Sequence, residues 1–212
     1  MEPDAVEIRV LGCLIEKQRT TPDVYPLTLN ALRLACNQST NRDPVVDYDE
    51  NIIRSAIDRL VHRKWVTLAS WSNRRSMKYR QTLDRALDLG DADISVLTVL
   101  MLRGPQTPGE LKTRTERLHS FGDMGELGET LERLIARDLV VRLDRRPGQR
   151  EERYRHILSE ETEAPVPAVA APSDETPSEE TVSQDDERIQ RIERQLAELR
   201  SEIQALREEL GA

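Results

Sequence analysis

Residues 50–80 read ENIIRSAIDRLVHRKWVTLASWSNRRSMKYR, and this stretch decides the fold class. Up to Val61 the apolar side chains recur every three or four residues, which is typical of an amphipathic helix with one face in a core. From Val66 the residues favour a strand, and a polar turn at 72–76 leads into a return strand through Tyr79. The stretch therefore predicts a helix followed by a β-hairpin.

Two further helices precede this stretch. The first begins at a capping box at residues 4–7 and ends before Pro22, because proline restricts the residue in front of it. The second is predicted to start near Pro26, since proline is tolerated in a first turn. A capping box of Asp47 with Glu50 is expected to start the third helix. Three helices followed by a β-hairpin is the winged-helix arrangement, a relative of the helix-turn-helix.

The same order of patterns recurs in the second half of the chain. A helix ends at Gly104, capping boxes at 107–110 and 123–126 open two more, and a hairpin pattern covers 139–155. The third helices of the two halves align, and both return strands carry a basic-Tyr-Arg triplet, so the chain has an internal repeat. The predicted fold is mainly α with small β-hairpins. It comprises two tandem winged-helix domains, at 1–84 and 91–158, and a C-terminal coiled-coil helix.

The tail divides into two segments. Residues 159–186 are acidic and rich in proline, with no aromatic residue, and predict a disordered linker. Residues 187–210 then show a heptad pattern of apolar positions. This pattern predicts a homodimer through the helix, or alternatively a helix that folds back on its own domains. The seam consists of Ile189, Ile192, Leu196, Leu199, Ile203, Leu206 and Leu210.

Charge is distributed unevenly along the chain. Residues 1–158 carry 26 basic and 24 acidic residues, whereas residues 159–212 carry 5 and 15. Within the folded part, residues 59–83 contain seven basic residues and no acidic one, a cluster that can bind phosphate locally because salt screens distant charge. The chain shows no signal peptide and no membrane-length apolar run. With Cys13 and Cys36 expected as reduced core thiols, these features predict a cytoplasmic protein that does not contact a membrane.

Four blocks of sequence resemble the YceH family of bacterial proteins of unknown function. The blocks are residues 14–17, 20–32, 35–38 and 41–45. The resemblance covers about residues 5–158 and implies tandem winged-helix domains in the cytoplasm. The most distinctive segment, residues 37–44 (the motif segment), predicts either a partner or ligand contact, or a loop whose polar side chains bond their own backbone. The motif residues without an assigned role are Asn30, Asn37, Asn41, Arg42, Asp43 and Pro44.

The sequence gives little support for catalysis. The three histidines, His62, His119 and His156, fall in different segments, and no His or Cys pair has metal-ligand spacing. No glycine-rich phosphate loop is present. We therefore predict a protein without enzymatic activity and without a cofactor.

The preferred functional prediction is a DNA-binding or transcription-regulatory protein that uses the third helix and basic wing of the first domain. Exposed polar side chains on that helix could reach base edges, while the wing contacts phosphates. The alternative for the hairpin is a solvated surface element. The candidate nucleic-acid-binding residues are Asn51, Arg54, Arg59, Arg74, Arg75, Lys78, Arg80, Arg145 and Arg146.

The second domain predicts a different partner. Its third helix is expected to expose Glu126, Glu129 and Glu132, and these carboxylates would repel phosphate. We therefore expect this domain to bind a protein partner, or to touch DNA only through its basic wing. The alternative function for the whole chain is a non-catalytic protein-interaction scaffold built from tandem winged-helix domains.

Overall fold

The computed structural model of the protein describes residues 2–69, 77–145 and 151–159. Within these ranges the first repeat forms four helices and three short strands, with a 3-10 turn at Pro22–Val24. In chain order they are α1 (Ala5–Thr20), β1 (Leu27–Thr28), α2 (Leu29–Cys36), α3 (Glu50–His62), β2 (Val66–Ala69), β3 (Lys78–Gln81) and α4 (Leu83–Ala86).

The second repeat adds three helices and two strands. They are α5 (Asp91–Arg103), α6 (Pro108–Thr115), α7 (Met124–Ala136), β4 (Val140–Leu143) and β5 (Arg153–His156). The described residues thus form a mixed fold of seven helices and small antiparallel sheets, which confirms the helices and hairpins of the prediction. Within the same ranges, no helix combines the length and apolar character needed to cross a bilayer.

Several predicted features lie outside the described residues. They are the hairpin tips with Arg74, Arg75 and Arg146, all but the first residue of the linker 159–186, and the heptad segment 187–210.

Helix starts follow local capping chemistry. At α1, Asp4 Oδ1 accepts from the Glu7 N–H at 2.8 Å and Glu7 Oε2 accepts from the Asp4 N–H at 3.1 Å, which confirms the predicted box. At α6, Thr107 Oγ1 and the Glu110 carboxylate make the same reciprocal pair. These caps depend on residues three apart in sequence, so the sequence alone identified them.

Two predicted starts of the first repeat were wrong. Helix α2 begins at Leu29 rather than near Pro26, because Thr28 Oγ1 accepts from the Ala31 N–H at 3.3 Å and caps the helix. Helix α3 begins at Glu50, so the cap is Asp49, whose Oδ1 accepts from the Ile52 N–H at 2.9 Å. The predicted cap was Asp47, which lies two residues too early for this role.

Only half of the predicted box at α7 is present. Asp123 Oδ1 accepts from the Glu126 N–H at 2.9 Å, as predicted. The Glu126 carboxylate instead accepts from the Gly122 N–H at 2.8 Å.

The first sheet has three antiparallel strands in the order β1-β3-β2. Tyr79 of β3 lies between Leu27 of β1 and Leu68 of β2. The sequence did not indicate β1, because a two-residue strand has no alternation to detect. In the second repeat β4 pairs with β5, and Gln106 bridges to Tyr154 in place of a third strand.

Helices α1 and α5 pack against each other and carry much of the hydrophobic core. Val10, Leu11 and Leu14 of α1 are fully buried, as are Leu97 and Leu100 of α5. The buried apolar residues of both repeats form one continuous cluster, and Met1–Thr162 make one compact unit. The two repeats therefore pack on each other, while the division into domains at 1–84 and 91–158 stays a prediction.

Gly12 permits the close approach of α1 to α5. A Cβ atom at this position would lie 2.9 Å from Leu102 Cδ2 and 3.3 Å from Met101 Cβ. We expect Gly12→Val to lower the free energy of unfolding by about 1–2 kcal/mol, since overpacking outweighs the gain in helix propensity. Gly128→Val is the control, because a Cβ at Gly128 would meet nothing within 4 Å. Equal losses in urea denaturation of both variants would contradict the proposed clash.

Candidate nucleic-acid interface

Helix α3 has one buried face and one exposed polar face, as its periodicity predicted. Ile53, Ala56, Ile57 and Leu60 are buried. Asn51 and Arg54 are exposed on the other side, together with Ser55, Asp58 and His62. The exposed face thus combines an amide, a guanidinium, a hydroxyl and an imidazole, which can contact base edges or phosphates, with the Asp58 carboxylate, which disfavours phosphate contact.

Arg59 borders that exposed face, and its side chain is 41% exposed while it forms ion pairs with α1. Its guanidinium lies 2.6 Å from Asp4 Oδ2 and 3.1 Å from Glu7 Oε2. Arg63 adds a third ion pair, at 3.2 Å, to the buried Glu7 carboxylate. The two arginines therefore tie α3 to the start of α1, and these ion pairs offset part of the charge of Arg59, whose place in the interface stays a prediction.

The outer face of β3 carries the predicted wing cations. Tyr79 and Gln81 are buried, whereas Arg80 is exposed and Lys78 is half-buried, as strand alternation favours; Met77, expected on the side of Tyr79, is instead exposed. The Gln81 N–H donates to the Tyr25 hydroxyl at 2.7 Å, and this contact anchors the strand. Burial raises the pKa of Tyr25 to about 12, which keeps its phenol protonated at neutral pH.

The hairpin of the second repeat is electrostatically different. Arg145 lies 3.6 Å from Glu152, and Arg142 forms ion pairs with Glu132 and Glu152. Arg153 lies 3.3 Å from Glu110. Carboxylates of the same repeat offset part of the charge of these exposed cations, so they offer less charge to a phosphate backbone.

The exposed carboxylates of α7 strengthen this contrast. Glu126, Glu129 and Glu132 are exposed, as predicted. Arg133 is also exposed, but its guanidinium is held 2.7 Å from Asp93. The outer face of α7 is therefore acidic.

The motif segment around Asn37 is partly a self-bonded loop. The Asn37 side-chain amide pairs with the backbone of Tyr48, donating to its carbonyl at 2.8 Å and accepting from its N–H at 2.9 Å. Asn37 also donates to Asp47 at 3.3 Å. The Asp43 N–H reaches the Leu102 carbonyl at 2.9 Å, so the loop is attached to the second repeat as well.

Arg42 is the buried centre of this segment. Its side chain is fully buried, and its guanidinium pairs with both Glu16 oxygens, at 2.6 and 3.1 Å. It also donates to the carbonyl oxygens of Ala35 and Asn41 and to Gln38. Sequence reasoning singled out Arg42 but missed Glu16, because a helical glutamate 26 residues away carries no local signal.

A second buried arginine was missed altogether. Arg9 of α1 donates to the carbonyl oxygens of Cys36 at 3.2 Å and Pro44 at 2.6 Å. It thereby fixes both ends of the motif segment. Asn30, by contrast, is exposed on α2 and accepts from Arg33 at 3.3 Å.

Cys13 and Cys36 are free and buried, which confirms the predicted core thiols. The Cys13 thiol donates to the Ala35 carbonyl at 3.3 Å. The hydrogen bond between the Cys13 and Cys36 side chains, together with burial, raises the pKa of Cys36, so the Cys36 thiol is neutral at physiological pH.

Potential metal ligands do not cluster in the described ranges. No group of three or more His, Cys, Asp or Glu side chains is placed there to hold a metal ion. His119 instead packs edge-on against Phe121, with ring centroids 4.7 Å apart, and lies 3.5 Å from Glu126.

Comparison with known proteins identifies the relatives of this chain. Residues 4–149 match the family model DUF480, described as a protein of unknown function. A UPF0502 protein of Pectobacterium carotovorum is 42% identical over 210 residues, covering 96% of this chain and 97% of that protein. The UPF0502 protein YceH of Salmonella agona is 41% identical over 218 residues, covering 99% and 98%.

Proposed function

The chain belongs to the DUF480 family, and from its geometry we propose that it binds duplex DNA as a transcription-regulatory protein. The observation that carries this proposal is the exposed Arg54 on the polar face of α3, a helix that leads directly into a strand pair with Arg80 on its outer face. In this proposal α3 enters the major groove and the hairpin contacts the backbone.

The order of elements supports a winged-helix assignment for the first repeat. Helix, short strand, two helices and a hairpin follow one another, and β1 pairs with the returning strand β3. A short strand placed this way is typical of winged-helix domains, in which the third helix is the recognition helix. The second repeat follows the same plan, with Gln106 at the position of the short strand.

Three carboxylates near the start of α3 count against DNA binding; Glu50 is exposed, and the other two have structural partners. Asp49 caps the helix, and Asp47 accepts from Asn37, so both have structural partners. A capping carboxylate is also stabilised by the helix dipole, which offsets part of its charge.

A second candidate function, a protein-interaction scaffold, rests on the acidic face of α7. Its exposed glutamates and the paired arginines of β4 and β5 suit a basic or neutral protein partner better than DNA. In this proposal the second repeat docks a protein, and the heptad segment brings two chains together. The two functions are compatible, because they use different repeats.

Duplex titrations at several salt concentrations test the DNA proposal. Changing Arg74, Arg75, Lys78 and Arg80 together to Ala should weaken binding to every sequence. It should also reduce the slope of log affinity against log salt concentration by about 0.9 for each phosphate contact that is lost. Arg54→Ala should instead lower the preference for one sequence by about 1–3 kcal/mol.

The matched control removes cations that are already paired. The double change of Arg142 and Arg145 to Ala should leave the salt slope nearly unaltered. If the wild-type chain binds no duplex at about 50 mM salt, a concentration that favours phosphate contacts, the DNA proposal fails. A stable protein partner that is pulled down by the chain, in the absence of any DNA affinity, would then favour the scaffold.

A further inference from the structure

A polar groove of about 510 Å³ lies between the two repeats. One wall comes from α1 and the motif segment, with Lys17, Gln38 and Asn41, and the other comes from α5 and α6. The volume falls within the range of pockets that hold small organic ligands. The proposed DNA interface does not include this groove.

The charge of the lining is positive within the described residues. Lys17, Arg103, Arg114 and Arg117 face the groove, against Glu16 and Glu116. Both oxygens of Glu16 pair with the buried Arg42, and Glu16 Oε2 also lies 3.5 Å from Lys17 Nζ, so the cations left facing the groove are the three arginines. The groove therefore presents an excess of guanidinium groups.

Two of these guanidiniums are held in position by neighbouring amide and carboxylate side chains. Arg103 donates to Asn41 Oδ1, and Arg114 donates to Gln106 Oε1 and lies 3.4 Å from Glu110. Burial, together with the positive charges of Arg114 and Arg42, lowers the pKa of Arg103. An anion in the groove would relieve this repulsion between like charges.

The same groove has an apolar part. Val99 and Leu102 of α5 and Leu118 after α6 contribute to the lining. A ligand with an anionic end and an apolar or aromatic body would therefore use the groove more fully than a bare inorganic ion. The planar fork of arginine suits the oxygens of a phosphate group.

We propose that this groove binds a small phosphorylated organic molecule of nucleotide size. Arg103, Arg114 and Arg117 contact the phosphate, and Val99, Leu102 and Leu118 contact the organic body. Asn41 acts as a positioning residue, because it orients Arg103. The motif segment thereby has a ligand-related role in addition to its self-bonded loop.

Isothermal titration of the full chain tests this site. The probes are the four ribonucleoside 5′-monophosphates, with the unphosphorylated nucleosides and inorganic phosphate as comparisons. We expect at least one monophosphate to bind with a Kd below about 1 mM and more tightly than its nucleoside or inorganic phosphate. No binding of any monophosphate at that level overturns the proposal, and so does equal binding of inorganic phosphate.

Two variants locate the binding. Arg103→Gln combined with Arg117→Gln should weaken the monophosphate by at least about tenfold, since each charge-assisted contact is strong. Arg117→Glu, at an exposed position, should weaken monophosphate binding to a similar extent. This variant replaces the double variant if the latter does not fold. Arg85→Gln is the matched control, an exposed arginine outside the groove, and should bind as wild type. Wild-type affinity in a folded Arg117→Glu variant would overturn the assignment, whatever the duplex titrations show.

Discussion

Arg42→Met is expected to lower the free energy of unfolding by about 3–5 kcal/mol, the typical cost of breaking a buried ion pair. The variant leaves Glu16 without the partner that contacts both its oxygens, and it removes a donor from the Asn41 and Ala35 carbonyl oxygens, of which Ala35 keeps the Cys13 thiol. Methionine fills much of the space but supplies no hydrogen bond. Urea denaturation followed by circular dichroism measures the loss.

A double-mutant cycle measures how strongly Arg42 and Glu16 are coupled. Combining Arg42→Met with Glu16→Leu should cost less than the sum of the two single changes, because the uncompensated charge is then gone. Arg85→Met is the matched control, because Arg85 is exposed, and should change stability by no more than about 0.5 kcal/mol. Strict additivity of the two buried changes would show that the pair is not coupled.

His156 is expected to make the fold sensitive to mild acid. Burial and the neighbouring charge of Arg155 lower the pKa of His156 from 6.5 to about 4, so the folded chain holds a neutral imidazole. The unfolded chain protonates His156 more readily than the folded chain does. The contribution of the neutral His156 to stability is therefore complete above about pH 6.5 and is lost as the pH falls toward 4. The loss amounts to about 2 kcal/mol by pH 5 and about 3 kcal/mol by pH 4.

The measurement compares unfolding free energies at pH 7 and pH 5. His156→Phe should remove this part of the pH dependence, whatever its effect on stability at pH 7. His62→Gln, at an exposed position on α3, should retain the wild-type dependence. The same change in unfolding free energy for wild type and His156→Phe would refute the prediction.

Local patterns predicted the helices and hairpins because they depend on near neighbours. The capping box at Asp4 and the apolar face of α3 arise from residues within one or two helical turns, and both are confirmed. The start of α2 was misplaced because two signals lie close together. Pro26 suits a first turn, but Thr28 supplies the cap, and the sequence does not rank them.

The candidate interface was predictable in part. Arg54 and Arg80 are exposed as expected, because helical and strand periodicity fix which side of each element faces the core. The ion pairs of Arg59 were not predicted, since only packing shows that Glu7 and Asp4 lie within its reach. The pairing of Arg145 with Glu152 likewise depends on the register of the second hairpin.

The sequence by itself determined the order of helices and hairpins, the repeat, and the exposed cations of α3 and β3. Those features follow from periodicity and capping, which act over a few residues. Only the tertiary structure decided the packing of α1 on α5, the burial of Arg42 on Glu16 and the cationic groove between the repeats. Contacts between residues far apart in sequence, such as Arg59 with Glu7 across 52 positions, are formed by packing and leave no local pattern to detect.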